Sequence, residues 1–166
     1  MTDQKSLFLI RHGKSTWGYE NVSDLDRPLK NRGIRNAYEM SAVLLDRNAQ
    51  PDLIISSPAN RALHTAVIIC GQLKCSYNQI RIEELIYFSE EYTILDFIKK
   101  TSDAISCLMV VGHNPIISNL ANLFFKAPVE YMPTTAVAEF TFETNSWSRI
   151  NREKVIHESY NFPEKK

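Results

Sequence analysis

The sequence of 166 residues is poor in cysteine and in glycine, and it has neither a long apolar run nor an excess of one charge. Its three cysteines, Cys70, Cys75 and Cys107, are odd in number and have no CxxC spacing. Because each lies in or beside an apolar stretch, we expect buried, reduced thiols rather than disulfides, cysteine catalysis or a zinc site.

No stretch approaches the roughly 18 apolar residues of a membrane helix, and residues 1–5 show no basic segment followed by an apolar run. We therefore expect a cytoplasmic protein with no membrane partner. Lysine plus arginine (19) equals aspartate plus glutamate (19), so the overall charge predicts no nucleic-acid partner, and any anion site has to be local. The length predicts a single domain over residues 1–166 and leaves the oligomeric state open.

Short apolar runs alternate with longer segments of helical periodicity, a pattern typical of a sheet covered by helices. Buried strands are predicted at residues 6–10, 52–56 and 107–111, and core-facing helices at residues 34–47 and 59–73. The predicted order is βαβαβαβα followed by two further strands. We thus expect an α/β fold: a three-layer α/β/α sandwich with a mostly parallel central sheet and an antiparallel C-terminal hairpin.

The expected hairpin lies near the C-terminus. Residues 137–142 and 147–156 have a strand-like composition and flank the turn-prone segment 143–146. Residues 161–166 are expected to form a frayed tail.

The longest segment without clear periodicity spans residues 14–32, and we expect it to overhang a site at the strand ends. Its charged residues Asp24, Asp26, Arg27 and Lys30 are expected mainly to fix this loop, with substrate contact as the alternative.

Arg11, His12 and Gly13 directly follow the first predicted strand. Ligands of open α/β sheets bind beyond the carboxyl ends of the strands, and glycine lets the backbone approach a ligand closely. These residues are candidates for a catalytic site, the alternative being an exposed Arg-His pair at a strand end. By contrast, His64 lies within a predicted helix and His157 beyond the last predicted strand, so neither is expected to be catalytic.

Two further motifs place side chains of interest at strand ends. Ser57 followed by proline is typical of a helix start and puts Arg61 in the first turn, where the helix dipole disfavours a cation unless it faces an anion. Asn114 followed by proline repeats this signature and puts His113 just outside a helix N-terminus. The alternatives are a solvated arginine and a structural, hydrogen-bonded histidine.

Together these side chains suit phosphoryl transfer. A phosphate dianion repels nucleophiles, so an enzyme without a metal needs fixed cations around the phosphate oxygens and a neutral nucleophile in line with the leaving group. Arg11, Arg61 and a protonated His113 could supply the cations. His12 could supply the nucleophile.

These segments together resemble the histidine phosphatase superfamily, and within it the small phosphohistidine phosphatases. The resemblance covers nearly the whole chain, through Arg-His-Gly-Lys-Ser at 11–15, Asp-Arg-Pro-Leu at 26–29 before Arg32-Gly33, Ser-Ser-Pro-Ala-Asn-Arg-Ala at 56–62 before Thr65-Ala66, Val-Gly-His-Asn-Pro at 111–115 and Pro-Thr-Thr-Ala at 133–136. It implies a phosphatase in which His12 accepts the phosphoryl group on a ring nitrogen and returns it to water. Arg11, Arg61 and His113 would form the phosphate pocket, with no metal and no cofactor.

One feature departs from that family pattern. Larger members have a glutamate that protonates the leaving group; here Tyr87 falls near its place and Glu84 lies close by, so the acid stays unassigned. A missing acid suits a good leaving group such as the imidazole of phosphohistidine. The chain also lacks long insertions, which predicts an open pocket and favours a phosphorylated protein side chain. We therefore expect a protein phosphohistidine phosphatase. The alternatives are a phosphatase of small phosphate esters that uses Glu84, and a non-catalytic phosphoryl-binding module.

Overall fold

The computed structural model describes residues 3–165 and contains, within them, one mixed sheet of six strands. The strands are β1 Lys5–Arg11, β2 Leu53–Ser56, β3 Ile80–Ile82, β4 Cys107–Gly112, β5 Val137–Phe142 and β6 Val155–Asn161. The α-helices are α1 Asn31–Asp46, α2 Asn60–Gln72, α3 Leu85–Phe88, α4 Glu91–Lys99 and α5 Ile116–Asn122.

The strand order across the sheet is β3-β2-β4-β1-β5-β6. The pairs among β3, β2, β4 and β1 are parallel, whereas β5 and β6 are antiparallel to their neighbours. In the β1–β4 pair Arg11 lies opposite Gly112, so the residues that follow the two strands, His12 and His113, emerge side by side. The α/β fold with a mostly parallel sheet and a C-terminal antiparallel pair is confirmed.

Helices cover both faces of this sheet because the central strands are apolar on both sides. Alternating residues of β1 supply two separate cores: Leu7 and Leu9 pack in a cluster with α4 and α5, and Phe8 and Ile10 pack in a cluster with α1 and α2. The two cores lie between the central sheet and the helices, which form the outer layers of the expected sandwich.

The predicted bounds of the last strand are wrong. Residues 147–156 mostly form two 3₁₀ turns, Trp147–Arg149 and Arg152–Lys154, and the strand begins only at Val155. Trp147 is fully buried, and its indole N–H donates to the Ile105 carbonyl at 2.7 Å. The apolar side chain of Trp147 therefore packs in the core although the residue lies in a turn and not in a strand.

The expected frayed tail also starts too early. Asn161 is the last residue of β6 and pairs with Val137 of β5. Lys166, the end of that predicted tail, lies outside the described residues. Over residues 3–165 no helix is long and apolar enough to cross a membrane.

Candidate active site

The carboxyl ends of β1, β2 and β4 meet at one edge of the sheet, and the sequence-predicted residues meet there too. Arg11 ends β1 and His12 follows it, Arg61 lies in the first turn of α2, and His113 follows β4. All four line one cavity of about 260 Å³. The cavity is further lined by Lys14, Ser15, Trp17, Arg27, Asn114 and Thr134. None of these ten residues, all within the described part of the chain, is acidic.

The His12 ring is held in one orientation and one tautomer. Its Nδ1 lies 2.7 Å from the Gly13 carbonyl oxygen, which can only accept a hydrogen bond, so the proton is on Nδ1 and the lone pair is on Nε2. Burial lowers the pKa of His12 from 6.5 to about 3; the bond to Gly13 opposes this shift, and the charges of neighbouring groups, among them Arg61 and Arg11, add to it. His12 is therefore neutral at pH 7, as a nucleophile has to be.

The His113 ring lies beside that of His12, with the two ring centroids 5.0 Å apart. Its Nε2 is 2.7 Å from the Ser57 hydroxyl oxygen. Burial, and then the charge of Arg61, lower the pKa of His113 to about 4. The ring is therefore neutral at pH 7, which differs from the expectation that a protonated His113 could supply one of the cations. A bound dianion would act in the opposite direction and raise this pKa.

The two predicted arginines are anchored by different loops. Arg11 donates from Nη1 to the Met132 carbonyl at 2.9 Å. Arg61 donates from Nη1 to the backbone carbonyl of Asp24 at 2.6 Å and from Nη2 to its carboxylate at 3.0 Å. The Nε atoms of both arginines are buried and have no partner among the described residues, as is also true of His113 Nδ1. Buried polar atoms without a protein partner are consistent with a site that binds an ion or water.

The two predicted helix starts differ from the structure in a way that serves the site. The N-cap of α2 is Ala59 rather than Ser57, whose hydroxyl accepts from the Ala59 N–H at 3.2 Å and contacts His113. Asn114 likewise does not cap α5; its amide donates to the Met132 carbonyl at 2.8 Å and accepts from Ser118 at 2.6 Å. Ser57 therefore holds His113, and Asn114 holds the Met132 carbonyl that also accepts from Arg11.

The loop at residues 14–32 closes one side of the cavity, as expected. Its Asp24 carboxylate pairs with Arg61 and accepts from the Tyr87 hydroxyl at 2.6 Å, and its other oxygen lies 3.0 Å from Arg27 Nε. Although partial burial of Asp24 opposes the shift, the hydrogen bonds from Tyr87 and Arg61 lower its pKa, so it is an anion at neutral pH. Asp24 thus has the expected structural role, because its carboxylate holds Arg27 and Arg61 in place.

Six of the ten lining residues were not assigned to the cavity from the sequence, and two of them, Arg27 and Trp17, contact each other. Arg27 is buried and lines it, although its expected role was structural, and Trp17 covers the Arg27 guanidinium at 3.4 Å from the ring centroid. The Asp-Arg-Pro-Leu motif was the available signal for Arg27. No sequence pattern pointed to Trp17.

Neither glutamate near the expected acid position lines the cavity. Glu84 is exposed at the start of α3, and Glu83 pairs with Arg81 at 2.6 Å. Tyr87 is nearer, with its ring centroid 5.4 Å from that of His113. Its hydroxyl proton is donated to Asp24, and this bond raises the pKa of Tyr87.

The comparisons with known sequences identify the family. A model described as the histidine phosphatase superfamily (branch 1) matches residues 7–86. An uncharacterized protein of Mycobacterium tuberculosis (strain CDC 1551 / Oshkosh) is 32% identical over 112 residues, which cover 68% of this chain and 67% of the relative.

Solved structures share the fold over almost the whole chain. A SixA structure from Nakamurella multipartitia superimposes with a TM-score of 0.81 and 20% identity, covering 96% of each chain. The protein histidine phosphatase SixA complexed with tungstate superimposes with a TM-score of 0.74 and 18% identity, covering 95% of this chain and 94% of that one. These similarities establish the arrangement of strands and helices.

Proposed function

This chain is a phosphatase that belongs to the histidine phosphatase superfamily, and we propose that it hydrolyses phosphohistidine in a partner protein through a phosphoryl intermediate on His12 Nε2. The observation that carries the proposal is the state of the His12 ring. Its Nδ1 is fixed on the Gly13 carbonyl, which leaves a neutral Nε2 lone pair beside His113 in a cavity lined by arginines.

The charge of the cavity supports a phosphate ligand. Arg11, Lys14, Arg27 and Arg61 line it, and no acidic side chain does among the described residues. Arg11 and Arg61 both line the cavity, so their guanidinium groups are placed to donate to phosphate oxygens. Such donors stabilise the charge on the transferring group most strongly when they are fixed in advance, as the bonds to Met132 and Asp24 achieve.

The reaction has two steps. First, the His12 Nε2 lone pair forms a bond to phosphorus while the P–N bond of the substrate breaks, and the leaving nitrogen departs with the bonding electron pair. A proton from water at the other ring nitrogen lets the substrate leave as neutral imidazole. Second, water attacks phosphorus, the bond to Nε2 breaks, and the proton of the water passes to the solvent or to phosphate. His12 is thereby returned to its starting state, and no metal enters either step.

The absence of a carboxylic acid among the lining residues favours this substrate over an alkyl phosphate ester. An alkoxide is a poor leaving group and needs a proton in the transition state, whereas an imidazole does not need one from the enzyme. Asp24 is ionised and the Tyr87 proton is donated to it, so neither is placed to protonate a leaving group. The exposed position of Glu84 makes the small-ester alternative less favourable.

The experiment compares phosphate release from free N-phosphohistidine and from phosphoserine, in buffer containing a chelator. We expect kcat/KM to be at least about 100-fold higher for phosphohistidine, because only the ester needs an acid. His12→Asn should abolish release, and His157→Asn, which changes an exposed histidine of β6, should retain it.

Three results would contradict the proposal, each in its own way. Comparable kcat/KM values for the two compounds would favour the ester phosphatase. Tight binding of phosphohistidine without release would favour the phosphoryl-binding module. Full activity of His12→Asn would refute the intermediate.

A cytoplasmic location of the protein stays a prediction.

A further inference from the structure

The cavity is too small to recognise much more than the phosphoryl group and the atoms bonded to it. Its volume of about 260 Å³ lies below the roughly 300–1,000 Å³ of pockets that enclose whole organic ligands. Four cationic side chains already line this space. Any selection among phosphorylated partners must therefore come from the surface around the cavity.

That surface carries three exposed aromatic side chains, which we call the aromatic rim: Trp17, Phe88 and Tyr131. Their side chains are 76%, 69% and 57% exposed, respectively. Isolated surface aromatics are common, but these three are linked by ring contacts to the cavity. They belong to three different segments of the chain, and the fold connects each of them to a lining residue of the cavity, directly or through one ring.

Two members of the rim, Trp17 and Tyr131, pack on arginines that belong to the site. The Arg27 guanidinium carbon lies 3.4 Å from the ring centroid of Trp17. The Arg11 guanidinium carbon lies 4.8 Å from the ring centroid of Tyr131. These stacking contacts restrain both arginines while leaving the outer faces of the rings open to a ligand.

Phe88 is linked to the site through one intermediate ring. It packs edge-on against Tyr87 with centroids 4.7 Å apart, and Tyr87 packs edge-on against His113 at 5.4 Å. Phe88 itself does not line the cavity. Its large apolar surface thus lies beside the site without taking part in it.

We propose that the aromatic rim is a docking surface for the apolar residues that flank a phosphorylated histidine in a protein substrate. This inference rests on the proposed function. The cationic cavity is complementary to the charge of the phosphoryl group, and the surrounding tryptophan, phenylalanine and tyrosine are of the types that supply large, rigid contact area at protein interfaces. A small phosphorylated compound that fits the cavity would leave Phe88 and Tyr131, which do not line it, in water.

The test uses two phosphohistidine peptides that are identical except for the flanking residues, which are leucine in one and serine in the other. For the unmodified protein we expect kcat/KM to be about tenfold higher for the leucine peptide, because burial of aromatic surface at an interface contributes on that scale. Free phosphohistidine, which has no flanking residues, is measured in parallel.

Trp17→Ala and Phe88→Ala should each remove most of the preference for the leucine peptide. Tyr77→Ala is the matched control, because Tyr77 is an equally exposed aromatic that precedes β3 and so lies at the opposite edge of the sheet. This variant should keep the preference. Because the readout is a ratio within one variant, partial unfolding cancels.

Different results would refute the docking surface and the proposed function. If the unmodified protein hydrolyses free phosphohistidine but treats the two peptides alike, or if Tyr77→Ala loses the preference as fully as Phe88→Ala, the docking surface is refuted while the proposed function stands. If it releases no phosphate from free phosphohistidine, the proposed function is refuted, and this inference with it.

Discussion

Lowering the pH from 8 to 5 should destabilise the folded protein through the two site histidines. The folded-state pKa is about 3 for His12 and about 4 for His113, against 6.5 for an unperturbed histidine. Below pH 6.5 the unfolded chain therefore takes up protons that the folded chain does not. Stability contributed by these groups is complete above pH 6.5 and is lost as the pH falls toward the folded values.

The size of the effect follows from that gap. A pH of 5 is about 1.5 units below the pKa of either histidine in the unfolded chain, whereas both rings are still neutral in the folded protein. At about 1.4 kcal/mol per unit, each histidine therefore lowers the unfolding free energy by about 2 kcal/mol. The two together cost about 4 kcal/mol, a large part of the roughly 5–15 kcal/mol that stabilises most domains. The lowered pKa of Asp24 acts in the same direction but only below its unfolded value of 3.8, outside this range.

The assay is urea unfolding at pH 8 and at pH 5, followed by circular dichroism. In His12→Asn the difference in unfolding free energy between the two pH values should shrink by about 2 kcal/mol, because asparagine does not titrate. His113→Asn should show a reduction of the same size. An unchanged pH dependence in both variants would refute the conclusion that these rings are buried in the neutral form.

Three further substitutions test the arrangement around the cavity. Asp24→Asn removes the charge that pairs with buried Arg61 and should lower the unfolding free energy by about 1–2 kcal/mol in urea titrations, whereas an unchanged value would show that the pair contributes nothing. Arg61→Lys should reduce kcat/KM by about 100-fold, because lysine cannot reproduce the fork that binds Asp24 and that we propose also holds phosphate; near-normal kinetics would contradict this. Gly33→Ala should cost about 1–3 kcal/mol in the same titrations, because its Cβ would stand 2.8 Å from the Lys14 backbone nitrogen; a neutral effect would mean that the loop yields freely.

The sequence predicted the parts of the fold that local patterns determine. Strands β1, β2 and β4 are apolar on both faces and were located to within a residue or two. Strand β6 lies at the edge of the sheet and is mostly half-buried, so its residues carry no strong apolar alternation. Trp147, in a 3₁₀ turn, and Ile150, at the end of that turn, are buried, and their apolar side chains led to the wrong prediction of a strand there.

In the site, too, local patterns predicted some residues, whereas contacts between distant residues could not be predicted. Arg11, His12 and His113 could be predicted because each lies within two residues of the end of a predicted strand. The hydrogen bonds of Asp24 to Arg61 and to Tyr87 join residues 37 and 63 positions apart, and no short motif encodes such contacts. The neutral state of His113 could not be predicted either, because it depends on how deeply the folded chain buries the ring.

The central claim is that His12 Nε2 forms the bond to phosphorus, and the position of a trapped phosphoryl group tests it most directly. The protein would be treated with phosphoramidate, quenched in alkaline denaturant, which preserves phosphohistidine, and studied by phosphorus–proton correlation spectroscopy and peptide mass spectrometry. The hydrogen bond from Nδ1 to the Gly13 carbonyl predicts a single label, on Nε2 of His12. A label on Nδ1 of that ring, or on His113 in its place, would contradict the account.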